Sequence, residues 1–243
     1  MAFTHLHVHT EYSLLDGSNK IKEYVRRVKE LGMDSAAITD HGVMYGVIDF
    51  YKTCRAEGIR PILGCEVYVA PNSRFDKELT GGDDRYYHLV LLAENNTGYN
   101  NLTRIVSRGF TEGYYYKPRV DMELLQEFHE GIIALSACLA GEVQRYITKG
   151  LYDEAKKTAL KYQACFGKGN YFLELQDHGL PEQKMVNTAL LQMSKELDIP
   201  LVATNDVHYT YKEDVKPHDI LLCLQTGKKL ADEDRMRYVK SEA

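Results

Sequence analysis

The sequence predicts an α/β fold of the closed (β/α) barrel type, with a metal site at the C-terminal ends of its strands. Short β-branched apolar runs alternate with helical patterns along the 243 residues. Candidate metal ligands follow nearly every run, as they do around a closed ring, whereas the sites of an open doubly wound sheet gather at one switch point. No GxGxxG or P-loop sequence is present. The open sheet remains the alternative architecture.

The apolar runs predict about seven strands, and the helical patterns between most of them predict crossover helices. The expected strands are 3–9, 35–39, 61–69, 88–93, 131–136, 171–175 and 201–204. The expected helices are 20–31, 43–57, 98–108, 142–149, 153–166 and 182–197. Ser18 is the expected N-cap of the first helix, and Gly32 follows its end as a C-terminal glycine should.

One connection between strands cannot supply a crossover helix. Residues 71–87 are polar, contain Gly81-Gly82-Asp83-Asp84 and show no helical period. We therefore expect the strand that starts at His88 to run antiparallel to the strand before it, which would bring His88 beside Glu66.

The composition is that of one globular domain spanning residues 1–243. With 44% hydrophobic residues, the chain can bury a full core without being divided. The net charge of −5 argues against a broad basic groove, so any contact with nucleic acid should be local. Five scattered cysteines without a signal peptide indicate reduced thiols and a cytoplasmic location. No run reaches the ~18 apolar residues of a membrane span.

The first ligand motif is a pair of histidines two residues apart. Residues i and i+2 of a strand point to one face, so His7 and His9 can converge on one ion. His5 shares their parity but should lie one layer deeper, so we place it outside the site. Asp206 and His208 repeat the spacing just after the last strand. Each pair alone also suits a surface or capping role, and it is the recurrence at several strand ends that indicates a metal site.

The remaining candidates lie at or near the edges of other apolar runs. Asp40-His41 follows the second expected strand, and Asp16 precedes a glycine, where it also suits a plain turn. Glu66 is embedded in the third expected strand, where an unpaired carboxylate is costly to bury and a metal would remove that cost. Cys138 follows the fifth, although a buried cysteine is commonly only a small hydrophobic residue.

Together these motifs resemble those of the PHP (polymerase and histidinol phosphatase) domain family. The segments that carry the resemblance are His7-Val8-His9, Leu14-Leu15-Asp16-Gly17, Thr39-Asp40-His41-Gly42, Gly64-Cys65-Glu66, Tyr87-His88-Leu89 and Asn205-Asp206-Val207-His208. Within the family, residues 10–17, 115–121 and 222–228 are more closely similar to the N-terminal PHP domain of bacterial DNA polymerase III alpha subunits. The resemblance implies that residues from about 228 onward lead toward polymerase domains that this sequence does not contain.

The resemblance also implies a distorted seven-stranded (β/α) barrel holding up to three divalent metal ions. The three implied ligand sets are His7, His9, Glu66 and Asp206; Glu66, His88 and Cys138; and Asp16, His41 and His208. Imidazole, carboxylate and thiolate donors together suit Zn²⁺, Mn²⁺ or Fe²⁺. Asp40 is expected to orient an imidazole rather than bind an ion.

Such a cluster supports metal-assisted phosphoester hydrolysis, with Glu66, Asp206 and His208 as the implied catalytic residues. For a polymerase-linked domain, the resemblance implies 3′ to 5′ exonuclease action on a DNA end, a form of proofreading. The parent chain would be a DNA-directed DNA polymerase acting in DNA replication. Three alternatives stay open: a structural metal domain without chemistry, a small-molecule phosphatase of the histidinol phosphate type, and a module that contacts other replisome subunits.

Two further groups of residues lie outside the metal motifs. Lys117, Arg119 and Tyr116 are candidates for contacts with a phosphate or a base, with a solvated loop as the alternative. We expect the remaining histidines to lie at the surface or to act as caps. They are His129, His178 and His218.

Overall fold

The structure is a computed structural model that describes residues 3–78 and 85–243, so part of the polar stretch 71–87 lies outside the described residues. The strands are β1 (Ser35–Ile38), β2 (Arg60–Val69), β3 (Tyr87–Ala93), β4 (Arg119–Val120), β5 (Ile132–Leu135), β6 (Tyr171–Leu175) and β7 (Leu201–Ala203). The helices are α1 (Ile21–Glu30), α2 (Val47–Glu57), α3 (Asn96–Thr111), α4 (Met122–Glu127), α5 (Glu142–Thr148), α6 (Tyr152–Phe166), α7 (Pro181–Leu197) and α8 (Val215–Thr226). None of these helices is long and apolar enough to cross a membrane.

The strands form one mixed sheet in the order β1-β2-β3-β5-β6-β7, and the short β4 pairs with the end of β2. β3 runs antiparallel to both β2 and β5, whereas the other pairs along the sheet are parallel. The predicted reversal at His88 is therefore confirmed. The register places His88 opposite Tyr68 and Val90 opposite Glu66. His88 and Glu66 are thus diagonal neighbours across the two strands, within side-chain reach.

The sheet curls into a barrel-like ring whose gap is filled by an extended segment before α1. The amide of Ala37 donates to the carbonyl of His5, and the amide of Thr39 donates to that of Val8. On the other side, Val8 forms a parallel bridge with Val207, the residue between the two ligand candidates that follow β7. The expected strand at 3–9 is therefore wrong as a regular strand. The Val8 amide bonds to the Thr39 hydroxyl instead of a carbonyl, which interrupts the ladder.

Most predicted helices are present with shifted ends, but one cap is wrong. The Ser18 hydroxyl donates to the carbonyl of His208, and α1 begins at Ile21 without a side-chain cap. Gly32 does follow the helix with a positive φ of 73°, which glycine adopts without strain. The sequence-based assignment also missed β4, α4 and α8. β4 and α4 are too short for a periodic signal to emerge.

Three apolar clusters of the described residues hold the strands in place. The largest packs α3 to α7 against the sheet, the second packs α1 and α2 against β1 and Val8, and the smallest joins β3 and β5. In α1 the buried positions Ile21, Tyr24, Val25 and Val28 follow the i, i+3, i+4, i+7 spacing of an amphipathic helix. Each large side chain buried in this way stabilises the fold by roughly 1.5–3 kcal/mol. This packing fixes the rim where the polar side chains converge.

Candidate metal centre

Histidines and carboxylates from widely separated segments meet at one rim of the sheet. They come from the extended segment (His7, His9), the loop before α1 (Asp16), the ends of β1, β5 and β7 (His41, Cys138, Asp206, His208), β2 (Glu66) and the start of β3 (His88). Because β3 is antiparallel, its first residues lie at the same edge as the C-terminal ends of its neighbours. The structure therefore brings together every residue that the sequence motifs singled out as a metal ligand.

Glu66 lies at the centre of the cluster and is fully buried. Its Oε1 is 2.9 Å from His88 Nδ1 and 3.2 Å from His7 Nε2. Its Oε2 is 2.5 Å from His41 Nδ1 and 3.6 Å from His9 Nε2. One carboxylate thus faces four imidazoles, two on each oxygen, as a bridging ligand would.

Asp206 completes one side of the cluster. Its Oδ1 lies 3.3 Å from His7 Nε2 and 3.2 Å from His9 Nε2. The backbone of Asp206 has a φ of 45°. Residues other than glycine, asparagine and aspartate rarely adopt this left-handed region. Aspartate tolerates this conformation, and its carboxylate lies next to the two imidazoles of the first motif.

The other side of the cluster is built around Asp16. Its Oδ2 is 2.8 Å from His41 Nε2, and its Oδ1 is 3.7 Å from His208 Nε2. The Cys138 thiol is more peripheral, with Sγ 3.9 Å from Glu66 Oε1 and 3.7 Å from His88 Nδ1. Among the described residues, three groups have ligand atoms within 4.8 Å of one another: His7 with His9 and Glu66, His41 with Glu66 and His88, and His9 with His41 and His208. Each group can hold a cation.

Hydrogen bonds behind the cluster set which nitrogen of each imidazole faces inward. His7 Nδ1 donates to Glu174 Oε1 at 2.7 Å, and His208 Nδ1 donates to the Asp206 carbonyl at 2.7 Å. With the proton on Nδ1, the Nε2 lone pair of each ring points into the cluster, which is the form that binds a metal. Sequence reasoning missed Glu174, although its place in an apolar strand is the same signal that drew attention to Glu66.

Asp40 is connected to an imidazole through a serine hydroxyl. Its carboxylate accepts hydrogen bonds from the Thr10 amide, the Thr10 hydroxyl and the Ser13 hydroxyl, and none of these donors is an imidazole. Because Ser13 Oγ gives its proton to Asp40, it must accept from His9 Nδ1, which lies 3.1 Å away. Asp40 therefore contacts the His9 imidazole through the Ser13 hydroxyl and not directly.

The charges of the cluster oppose one another strongly. Burial, together with the nearby imidazoles of His41 and His208, lowers the pKa of His9 to about 3. Burial acts in the same direction on His41, but the carboxylates of Glu66 and Asp16 outweigh it and raise its pKa to about 10. Burial likewise opposes the rise at His7, whose pKa is held well above its ordinary value by Asp206, Glu174 and Glu66.

The carboxylates shift in the opposite direction. Burial would raise the pKa of Glu66, yet the imidazoles of His88, His41 and His7 hold it well below its ordinary value. The pKa of Asp206 is lowered in the same way, with His7 and His208 outweighing burial. The cluster therefore keeps its carboxylates ionised and needs positive charge among them, which protons or bound cations can provide.

The donor atoms themselves fit bound cations. Buried atoms that make no hydrogen bond occur on many members of the cluster: His7 Nε2, His9 Nε2, Asp16 Oδ1, His41 Nδ1, Glu66 Oε2, Asp206 Oδ1 and His208 Nε2. Buried polar atoms are rarely left without partners, because each such atom costs about 1–3 kcal/mol. Orphaned lone pairs that converge on one volume are the arrangement expected of ligands around metal ions.

Two histidines that were expected at the surface support the site instead. His218 is fully buried, and its Nε2 donates to the carbonyl of Asp16 at 2.6 Å. His178 is also buried, with its Nε2 donating to the carbonyl of Asn205 at 2.8 Å. They fix the loops that carry Asp16 and Asp206, a role that depends on tertiary contacts and leaves no local sequence pattern. His129 is exposed, as expected.

A cavity of about 500 Å³ opens above the cluster. Asp16, His41, His88, Cys138 and Asp206 line its floor. Its wall includes Lys117, Arg145, His178 and residues 236–239, which follow α8. The cluster is therefore buried but reachable by a ligand from one direction.

The three candidate substrate contacts occupy different environments. The Lys117 ammonium lies 5.4 Å above the ring of Tyr68 and faces the cavity. Arg119 is buried and donates to the carbonyls of Gly113, Arg74 and Asp76, which hold its guanidinium in the fold. Tyr116 is exposed and stacks under Arg85. Of the three, only Lys117 lines the cavity above the cluster, within the described residues.

A curled α/β barrel with a histidine–carboxylate cluster at its rim places the chain in the class of PHP-like, phosphoesterase-type folds. A candidate metal-dependent phosphoesterase from Bifidobacterium adolescentis shares the fold with a TM-score of 0.53 at 14% identity, over 84% of this chain and 87% of that one. An amidohydrolase from Chromobacterium violaceum, solved with bound sulfate and no metal, gives 0.55 at 15% identity, over 85% and 88%.

The chain belongs to the PHP domain family, whose profile matches residues 5–178. It is 51% identical over 242 residues to DNA polymerase III subunit alpha of Treponema pallidum, covering 100% of this chain and 21% of that protein. The corresponding subunit of Deinococcus radiodurans is 49% identical over 243 residues, covering 97% and 18%. The chain therefore spans about a fifth of the length of the curated relatives that it matches.

Proposed function

We propose that this chain is the metal-dependent phosphoesterase domain of a DNA polymerase III alpha subunit and removes nucleotides from the 3′ end of DNA. The observation that carries the proposal is the set of buried ligand atoms without hydrogen bonds that surrounds Glu66. The cavity above them gives an anionic ligand access to the same atoms. Similarity to polymerase alpha subunits over the length of the chain supports DNA as the substrate.

The chain offers ligands for up to three divalent ions. The proposed sets are His7, His9, Glu66 and Asp206; Glu66, His88 and Cys138; and Asp16, His41 and His208. Their mixture of imidazole, carboxylate and thiolate favours Zn²⁺, Mn²⁺ or Fe²⁺ over Mg²⁺ or Ca²⁺. When bound, such ions lower the pKa of a water molecule and neutralise charge on a phosphate.

The protein's own contribution is to place charge and exclude water. Glu66 links the two halves of the cluster, and Asp206 and His208 hold the side nearest residues 236–239. Lys117 lies at the cavity wall, where its ammonium can contact a phosphate oxygen of the substrate. This scheme requires no side-chain nucleophile. The proposed catalytic residues are Glu66, Asp206 and His208.

The test is degradation of 3′-labelled single-stranded DNA by the chain in Mn²⁺ and in Zn²⁺, beside Asp206→Asn and an exposed control, Asp198→Asn. Cleavage by the wild-type chain and by the control, lost in Asp206→Asn, is the expected result. Equal cleavage by all three proteins would trace the activity to a contaminant and remove the support for this function.

One specific feature favours a second candidate, a structural metal domain without chemistry. The ligands come from residues near 7 and near 208, so bound ions would tie distant segments together and add to the free energy of unfolding. A large rise in melting temperature on metal binding, with no cleavage of any phosphoester, would favour this candidate. In both cases the proposed partners are the remaining polymerase domains of a longer chain and other replisome subunits, in the cytoplasm.

A further inference from the structure

Three cationic side chains that are not proposed metal ligands line the cavity, and the part of the wall that they form is called its mouth. Lys117 precedes β4, Arg145 lies on α5, and Arg237 lies in the segment after α8, yet all three line the same cavity. The only carboxylates among the described lining residues are Asp16 and Asp206, which belong to the cluster. The chain has a net charge of −5, so a general excess of cations does not explain the three at this mouth.

The segment that carries Arg237 is fixed at both of its ends. On one side, Arg235 forms a two-point ion pair with Asp219 of α8. On the other, the amide of His208 donates to the carbonyl of Ser241 at 2.9 Å. Arg237 is thus held between two anchors rather than on a free tail, which lowers the entropy lost when it binds a ligand.

The residue after Arg237 ties the segment directly to the cluster. The ring of Tyr238 stacks on the imidazole of His208, with the centroids 4.3 Å apart and the planes 14° from parallel. The stacking of Tyr238 on a proposed metal ligand therefore positions its neighbour Arg237 at the mouth.

The size of the cavity adds a second constraint. Its volume of about 500 Å³ lies within the range of roughly 300–1,000 Å³ that is typical of pockets for whole small ligands. A phosphate bound at the floor therefore leaves room for an attached nucleoside. The next phosphate of a chain would then approach the cationic mouth.

We propose that Arg237, together with Lys117, forms a second phosphate subsite that makes the site specific for a phosphodiester chain over a small phosphate monoester. The planar guanidinium suits two-point contact with a phosphate, and the Lys117 ammonium adds a point charge. The inference rests on the proposed phosphoesterase function and adds a specificity-determining residue outside the 5–178 span that the family profile matches. The ligand is an oligonucleotide end.

Binding is measured first, because it does not require turnover. The probe is a fluorescent tetrathymidylate with phosphorothioate linkages, titrated with the Mn²⁺-loaded chain at several salt concentrations. The slope of log K against log salt is expected to fall by roughly 0.7 in Arg237→Gln, the value for one lost contact with a single strand. Lys229→Gln makes the same charge change at an exposed position of the same segment that does not line the cavity, and should keep the wild-type slope.

Turnover then distinguishes the inference from the function on which it rests. In Arg237→Gln we expect KM for the tetranucleotide to rise about tenfold, the effect of a lost charged hydrogen bond, with a smaller change for the monoester p-nitrophenyl phosphate. Cleavage of both substrates with identical KM values in the two proteins, or an unchanged salt slope, would overturn the subsite. Absence of cleavage with a changed slope would instead count against the phosphoesterase function and leave the subsite supported.

Discussion

The hydrogen bond between Glu174 and His7 allows the metal site to be tested without touching a proposed ligand. Both side chains are buried, and the carboxylate accepts the Nδ1 proton at 2.7 Å. The same oxygen also accepts from Gln176 at 2.9 Å and from Thr204. Glu174→Gln keeps the size of the side chain but removes the charge that holds the imidazole with its Nε2 inward.

The size of the effect follows from what the substitution leaves intact. The amide oxygen of glutamine can still accept the His7 proton, so the ring keeps a partner, but a weaker one than an ionised carboxylate. Losing a partner of this kind typically weakens metal binding by about 10–100-fold, or about 1.4–2.7 kcal/mol. Burial lowers the pKa of His7, and the Glu174 carboxylate is one of the charges that raise it instead. The His7 proton that competes with the metal is therefore also held less tightly in the variant.

The assay is isothermal titration of the chelator-treated chain with Zn²⁺ at one pH for both proteins, with the protons released on binding counted from the buffer dependence of the heat. Glu182→Gln, an exposed change of the same kind on α7, serves as the control and should bind like the wild type. Circular dichroism of the metal-free proteins checks that each is folded. Zn²⁺ affinity of Glu174→Gln within twofold of the wild type, in a folded protein, would refute the argument that Glu174 prepares His7 as a ligand.

Three further predictions follow from neighbouring contacts. Asp206→Asn should lose at least one equivalent of bound metal, because the neutral amide replaces the oxygen that faces two imidazoles; metal analysis of the dialysed protein checks this. Ser13→Ala removes the acceptor for the His9 Nδ1 proton and should weaken metal binding about tenfold, measured by competition with a chelator. Burial lowers the pKa of His5 to about 4, below its unfolded value, so the metal-free fold loses stability as pH falls from 6.5 toward 4. Relative to neutral pH, the contribution of His5 to that loss should be about 2 kcal/mol at about pH 5. His5→Phe should therefore lose about that much less stability than the wild type over this interval, and an equal change of the urea midpoint in both proteins would contradict the prediction.

The residues of the cluster could be found in the sequence because each stands next to an apolar run. Alternation placed His7 and His9 on one face, and the non-helical stretch before His88 revealed a reversed strand. The supporting residues left no such signal, because Glu174 and Ser13 act through contacts between segments far apart in sequence. Their positions follow from the packing of whole strands, which local patterns do not encode.

The errors have the same physical origin. Ser18 has the right residue type for an N-cap, but its hydroxyl is used by the segment after β7. The segment around Val8 has the pattern of a strand, but its ladder is interrupted where the Val8 amide bonds to the Thr39 hydroxyl. In both cases a tertiary contact replaced the hydrogen bond that the local pattern predicted.

The way the barrel closes determines when the site can first exist. His7 and His9 are made about 200 residues before Asp206 and His208, which at ribosomal rates of 5–20 residues per second is on the order of 10–40 s. During that interval the two imidazoles lack the carboxylate that follows β7, and the segment they occupy lacks its bridge to Val207. The proposed ligand sets that include Asp206 or His208 are therefore completed late in synthesis. The set of Glu66, His88 and Cys138 is completed earlier, so on this assignment the proposed sites would become available in a fixed order.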